Sequence, residues 1–258
     1  MKYLGLPLSD HKLGIQTFSS VVDKMRKRLD PWKGRTLSLG GRLVLTNSCL
    51  TSLPIYTMGF YLLPKTTHAE MDQIRSNFFW QGAGENFKYH MVKMDTICRP
   101  RNQGGLGMIN TKIMNECLLT KWIWKIQKGS KELWYQIIQA KYLQSGSFFC
   151  SPCAGTSQFW QSLHKVKHLF KWGAIYQVIN GESIFFWEDI WLGEVPIKVL
   201  HPDLYLMCSQ PQARVIDYWD GSDWSIAFRR SLNISEKQNL DDLVVVWQTT
   251  AGWRNAPA

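Results

Sequence analysis

Acidic residues are scarce in the first half of this sequence. Residues 1–128 contain 8 Asp and Glu against 19 Lys and Arg, whereas residues 129–258 contain 12 against 11. The net charge of +10 therefore comes from the first half alone, and such a segment is suited to a polyanionic partner. The chain is otherwise typical of a globular protein, because 45% of its residues are hydrophobic and only 19% are charged, which excludes a disordered chain.

Signals for export, membrane insertion and disulfide formation are also missing. The apolar run Tyr3–Leu8 is followed at once by the polar run Ser9–Lys12, so no signal peptide is predicted and we expect an intracellular protein. Leu43–Leu63 carries no charge over 21 residues, but Pro54 and several hydroxyl and amide side chains favour a kinked, buried helix over a membrane span. The six cysteines are widely spaced in a large chain, and we expect reduced thiols.

Catalytic motifs are a further absence. No Ser/His/Asp, Cys/His or paired-glutamate arrangement stands out in the sequence. Gly104–Gly107 lacks the lysine and hydroxyl residue of a P-loop, so it predicts a tight turn and not a phosphate site. Asp241–Asp242 lies within a helical pattern without a third carboxylate, which is typical of exposed helix surface. We therefore predict no catalytic residue and no cofactor.

One group of cysteines and histidines comes close to a metal-binding pattern. Its spacing is C-x2-C-x10-H-x3-H, and its members are Cys150, Cys153, His164 and His168. The central spacing is two residues shorter than the zinc-finger pattern, and no strand pair is predicted before the helix. Two incidental cysteines and two surface histidines are the alternative that we prefer, so no metal site is predicted.

Hydrophobic periodicity predicts an almost entirely helical first half. The predicted helices cover residues 15–29, 38–54, 67–80, 110–126 and 132–143. Thr67 followed by Glu70 predicts a capping box for the third helix, and Asn110 predicts the cap of the fourth. Between these two helices lies a predicted loop, Gln81–Gly107, in which Tyr89–Met94 predicts a short strand.

The pattern changes after a stretch rich in Ser, Gly, Pro and Cys at residues 144–156, where we place a domain boundary. A helix at 157–172 is followed by two predicted hairpins, whose turns are Asn180-Gly181 and Asp220-Gly221. Ser235 predicts the cap of a closing helix. The predicted fold class is mainly α: a helical, thumb-like bundle followed by a smaller α+β region with short hairpins.

Several short motifs, taken in order, resemble one known family. They are Tyr3–Leu8, Leu37–Arg42, Leu53–Tyr56, Asn77–Trp80, Gly104–Gly107 and Phe186–Trp191. The chain resembles the C-terminal thumb and connection region of plant LINE-type non-LTR retrotransposon reverse transcriptases, the RNA-directed DNA polymerases of these transposable elements. The resemblance implies four segments: the end of a palm strand at 1–8, a helical thumb-like segment at 9–80, a loop with connection helices at 81–150, and a smaller α+β linker region at 151–258.

The catalytic residues of that family are missing from this sequence. It has no Tyr/Phe-x-Asp-Asp turn and no upstream carboxylate strand, so polymerase catalysis is not expected of this chain alone. The resemblance implies a nuclear, non-catalytic fragment that binds an RNA/DNA primer–template duplex, with no membrane and no small-molecule substrate. The residues expected to contact phosphates are Lys24, Lys27, Arg28, Lys33, Arg35 and Arg42. The alternative is a decayed retroelement remnant that acts, if at all, as a protein-interaction module.

Overall fold

The computed structural model describes residues 2–3, 6–7, 13–29, 37–81, 89–144, 148–219 and 224–250. The chain divides into two compact units, Met1–Lys167 and His168–Ala258, and the division falls after the predicted boundary region. Helices dominate the described residues, which confirms the mainly α fold class.

The first unit is built from two short strands and a series of helices. Its strands are β1 (Lys2–Tyr3) and β2 (Leu6–Pro7). Its helices are α1 (Ser19–Leu29), α2 (Leu39–Leu45), α3 (Ile55–Met58), α4 (Lys65–Gln81), α5 (Met94–Ile97), α6 (Thr111–Lys128) and α7 (Leu133–Tyr142). Helix α8 (Gln158–Gly173) crosses the division, and the second unit continues with α9 (Ile197–Leu200), α10 (Pro202–Met207) and α11 (Ile234–Thr250).

The N-terminal strand differs from the prediction. We expected one strand over Tyr3–Leu8 without a neighbour in this chain, but β1 and β2 pair with each other in antiparallel register, Lys2 opposite Pro7. The carbonyl oxygen of Pro7 also accepts a hydrogen bond from the Tyr61 hydroxyl, 2.8 Å away. A chain reversal within the segment thus supplies the backbone partner that a single strand would lack.

Helix α1 ends and α2 begins where local signals predict, but α2 ends at Leu45 and not at the predicted Pro54. A 3-10 turn leads into α1, and Phe18, Val22 and Met25 bury the apolar face that the periodicity defines. Ser38 caps α2 by accepting a hydrogen bond from the backbone N–H of Gly41 at 3.2 Å. The uncharged run continues as a π-helical turn, and α3 begins after Pro54. Among the described helices, none is long and apolar enough to cross a membrane.

Helix α4 begins two residues before the predicted capping box, so that prediction is wrong. The carbonyl of Pro64 accepts the backbone N–H of His68 at 3.2 Å and thereby opens the helix. Thr67 lies inside the first turn, where it is buried, and cannot act as the cap. Proline fixes φ near the helical value and needs no donor at this position, so Pro64 sets the helix start before Thr67 is reached.

Residues 97–107, before α6, are joined by backbone hydrogen bonds. Tyr89–Met94 forms no strand: Tyr89 and Met91 are almost fully exposed, and this prediction is wrong. The turn at Gly104–Gly107 has the predicted tight form, because its backbone N–H groups bond carbonyls of residues 97–101. A Cβ on Gly105 would lie 2.0 Å from the carbonyl oxygen of Arg99, which explains the glycine there.

Asn110 caps α6 as predicted, since its side chain accepts hydrogen bonds from the backbone N–H groups of Lys112 and Ile113. The buried face of the helix includes a polar side chain. Ile113 is 57% exposed, whereas the polar residue Asn115 is fully buried. Asn115 is satisfied there by three hydrogen bonds to the segment between α3 and α4.

The second unit is organised around a large aromatic core. Its fully buried members include the aromatic residues Phe186 and Trp187 and the aliphatic residue Val215. The predicted hairpin at Asn180-Gly181 is wrong: Ile175 pairs with Ile190, and the backbone N–H of Val215 bonds the carbonyl of Ile184. Burial of these large side chains against residues 213–218 outweighs the local turn signal.

The other predicted features of this unit are partly confirmed. Trp219 and Trp224 form an antiparallel bridge on either side of the second predicted turn, whose residues 220–223 lie outside the described ones. Helix α11 is capped by Asn233 and not by Ser235. Asn233 and Glu236 exchange side-chain-to-backbone hydrogen bonds at 2.8 and 2.9 Å, which form a capping box two residues before the predicted cap.

Candidate nucleic-acid interface

The clearest cationic surface among the predicted residues lies on α1. Lys24, Lys27 and Arg28 are spaced i, i+3, i+4, so they share one side of the helix, and all three are exposed. We call these three residues the basic face. The opposite side of α1 packs on α4, with Val22 and Met25 buried. The apolar packing therefore fixes the direction in which the basic face is presented.

The charge on α1 is strongly unbalanced. The helix contains four basic residues and one acidic residue, Asp23, whose carboxylate lies 3.4 Å from a guanidinium nitrogen of Arg26. An exposed pair of this kind contributes only about 0–1 kcal/mol. Three of the four cations lie in the last turn, where they also interact favourably with the helix dipole.

Three predicted contact residues do not add to this face in the same way. Lys33 and Arg35 lie outside the described residues. Arg42 is half-buried, and its guanidinium donates hydrogen bonds to the carbonyls of Phe79 at 2.9 Å and Trp80 at 3.3 Å. These carbonyls belong to the last turn of α4, which has no intrahelical donors left for them. Arg42 thus joins α2 to the end of α4 as a C-terminal cap.

A buried polar network that sequence reasoning missed supports the same bundle. His68 and Asp72 of α4 both contact the Thr111 hydroxyl, at 3.0 and 3.4 Å, and Arg75 donates to Asp72 at 2.8 Å and to the carbonyl of Ile109. The i, i+4, i+7 spacing of the three α4 residues was the available signal. Because Thr111 and Arg75 are fully buried, this network fastens α4 to the start of α6.

Burial governs the titration of this network. It lowers the pKa of His68 below its usual range and raises the pKa of Asp72, although the neighbouring Arg75 guanidinium acts against the second shift. The neutral histidine ring is therefore the form that the folded unit prefers. A charged His68 would carry a buried N–H at Nε2, an atom that has no described hydrogen-bond partner.

Of the cysteine and histidine group, the side chain of Cys150 lies outside the described ones. His164 packs on the rings of Phe148 and Trp160, and its Nε2 lies 3.3 Å from the Ser151 hydroxyl. Burial and the nearby Lys167 lower the pKa of His164. Cys153 is an exposed free thiol. No group of three or more His, Cys, Asp or Glu side chains in the described part of the chain could hold a metal ion.

Two proteins of Arabidopsis thaliana are similar to this chain. One, named "Putative ribonuclease H protein", is 30% identical over 199 residues, which make up 76% of this chain and 32% of that protein. The other, named an uncharacterized mitochondrial protein, is 24% identical over 153 residues, which make up 58% of this chain and 99% of that protein. The chain thus spans about a third of the length of the first relative. No family model and no solved structure matches this chain. Both of the similar proteins come from a plant.

Proposed function

We propose that the chain binds the phosphate backbone of an RNA/DNA primer–template duplex, as a non-catalytic fragment of a retrotransposon reverse transcriptase. The observation that carries the proposal is the basic face of α1: three exposed cations on one side of a helix whose other side is buried. Side chains spaced this way have Cβ atoms about 5–6 Å apart, so they can reach successive phosphates of one strand. Contacts of this kind position a duplex without reading its bases.

Two further observations support the proposal. The excess positive charge lies in residues 1–128, which also contain the basic face. One relative is named as a ribonuclease H protein, which implies a nucleic-acid substrate for that protein, and names of this kind are typical of retroelement-derived plant proteins. Ribonuclease activity is not carried over to this chain, because the chain spans only 32% of that relative.

Arg42 has a different role in this proposal from the one that the sequence suggests. Its guanidinium is engaged by carbonyls of α4, so we assign it to positioning and not to phosphate contact. Five of the expected contact residues then remain: the basic face, Lys33 and Arg35. Lys33 and Arg35 lie outside the described residues, so the salt titration alone tests their contribution.

The test is the salt dependence of duplex binding by the whole chain. Fluorescence anisotropy with a labelled RNA/DNA hybrid should give a log–log slope of about −4 to −5 if five cations engage, and about −3 if only the basic face does. Primer extension by the same protein is not expected. An affinity independent of salt, or no binding at low salt, would contradict the proposal.

The alternative, a remnant that works as a protein-interaction module, has one observation in its favour. Leu133 and Ile137 of α7 lie one turn apart and are 71% and 55% exposed. Apolar side chains at this spacing form a small stripe that another protein surface could cover. This alternative predicts no binding of nucleic acid at low salt, which the same titration detects.

A further inference from the structure

The C-terminal half of α6 presents a second cationic surface that differs in kind from the basic face. Lys121, Trp124, Lys125 and Lys128 are spaced i, i+3, i+4, i+7, so they line one side of the helix. We call these four residues the lysine–tryptophan face. Lys121 and Lys128 are exposed, and the Trp124 side chain is 51% exposed although it is a large aromatic residue.

The two tryptophans of this helix have opposite roles. Trp122 donates its indole N–H to the carbonyl of Gly59 at 2.8 Å and packs edge-on against Trp134. It therefore anchors α6 within the first unit. Trp124, two residues further on, lies on the other side of the helix with the Lys128 ammonium 5.7 Å from its ring centre. A cation next to an exposed ring is the arrangement that also suits a stacked base and its phosphate.

The charge along this stretch of the sequence is of one sign. No acidic residue occurs between Glu116 and Glu132, while four lysines do, at 121, 125, 128 and 131. The Glu132 carboxylate accepts a hydrogen bond from the indole N–H of Trp134, which directs it toward that ring. Lys125 lies over the rings of Trp122 and Trp134, at 5.2 and 5.9 Å from their centres. Stabilisation of the helix C-terminus explains cations here, but it does not explain an exposed tryptophan among them.

We propose that the lysine–tryptophan face binds single-stranded nucleic acid, with an unpaired base stacked on Trp124 and the flanking phosphates on the lysines. This site is separate from the basic face, and it deepens the proposed function by adding a single-stranded segment to the duplex as a ligand. Stacking on an aromatic ring requires a free base face, which a duplex does not offer. The two faces should therefore prefer different probes.

The test compares three labelled probes on the whole chain: an oligothymidylate, an abasic deoxyribose-phosphate oligomer of the same length, and an RNA/DNA hybrid duplex. Trp124→Ala should weaken oligothymidylate binding about tenfold, because stacking on one ring is worth about 1–3 kcal/mol. It should leave the abasic and duplex probes unchanged. The matched control is Trp172→Ala, which removes a tryptophan that is 59% exposed in the second unit and should change none of the three.

A second pair of variants separates this proposal from the proposed function. Lys121→Gln/Lys128→Gln should lower the salt slope for oligothymidylate by about 1.4, at about 0.7 per lost phosphate contact, and leave the duplex slope unchanged. Lys24→Gln/Lys27→Gln should lower the salt slope for the duplex and leave the slope for oligothymidylate unchanged. Equal binding of oligothymidylate by Trp124→Ala and the unmodified protein would overturn the inference, as would equally tight binding of poly-glutamate, since that would point to an acidic protein partner.

Discussion

Asn115 offers the sharpest test of how the first unit is held together. Its carbonyl oxygen accepts the backbone N–H of Leu63 at 2.8 Å, and its amide nitrogen donates to the carbonyls of Met58 at 2.7 Å and Tyr61 at 2.9 Å. The side chain is fully buried. One side chain of α6 therefore provides the hydrogen-bond partners of three backbone groups between the end of α3 and the start of α4.

Asn115→Leu keeps the branched skeleton of four side-chain heavy atoms and removes all three hydrogen bonds. Each bond contributes about 1 kcal/mol net, and a buried backbone group left without a partner costs about 1–3 kcal/mol, so we expect the free energy of unfolding to fall by about 3–5 kcal/mol. That is a large share of the about 5–15 kcal/mol available to a typical domain. The matched control is Asn47→Ala, because Asn47 makes two such bonds at a more exposed position, where water can replace them.

The assay is urea unfolding followed by tryptophan fluorescence, with amide hydrogen exchange at Leu63 as the local readout. The Leu63 amide should exchange far faster in Asn115→Leu, since its acceptor is gone. The Asn47→Ala control should lose only about 1 kcal/mol. A loss below about 1 kcal/mol in Asn115→Leu, or an unchanged Leu63 exchange rate, would refute the reasoning.

Three further predictions concern single residues. Arg42→Met should lower the free energy of unfolding by about 1–3 kcal/mol, because the last carbonyls of α4 lose their donor, yet leave the salt slope of duplex binding unchanged. Burial lowers the pKa of His68, so the unfolded chain takes up this proton first and stability should fall as the pH drops below 6.5; His68→Gln should flatten that dependence in urea titrations. Gly105→Ala should cost about 1–3 kcal/mol through its clash with the Arg99 carbonyl, whereas Gly14→Ala, which meets no atom within 4 Å, should be nearly neutral in the same assay.

Local signals in the sequence predicted the longer helices of the first unit. Ser38 and Asn110 are caps whose hydrogen bonds reach only two or three residues ahead, so the pattern around them suffices. The break before α7 at Gly129, where φ is +70°, is equally local. The basic face was predicted for the same reason, because helical periodicity alone decides which residues of α1 share a side.

Features that depend on distant partners were missed. The sequence alone predicts a surface cation at Arg42, because its carbonyl acceptors on α4 lie 37 and 38 residues further along the chain. Asn115 reads as exposed helix surface until the chain turn that it closes is present. The bridge between Ile175 and Ile190 likewise joins residues 15 positions apart, and the local turn signal at Asn180-Gly181 does not predict it.

The most direct test of duplex binding through α1 is a comparison of two double variants with the same change in net charge. Lys24→Gln/Lys27→Gln removes two cations of the basic face, and Arg229→Gln/Lys237→Gln removes two exposed cations of the second unit. With an RNA/DNA hybrid, the first pair should reduce the steepness of the log–log salt dependence by about 1.8, at about 0.9 per lost contact, and the second pair should leave it unchanged. Equal slopes for the two variants would contradict the assignment of duplex binding to this face.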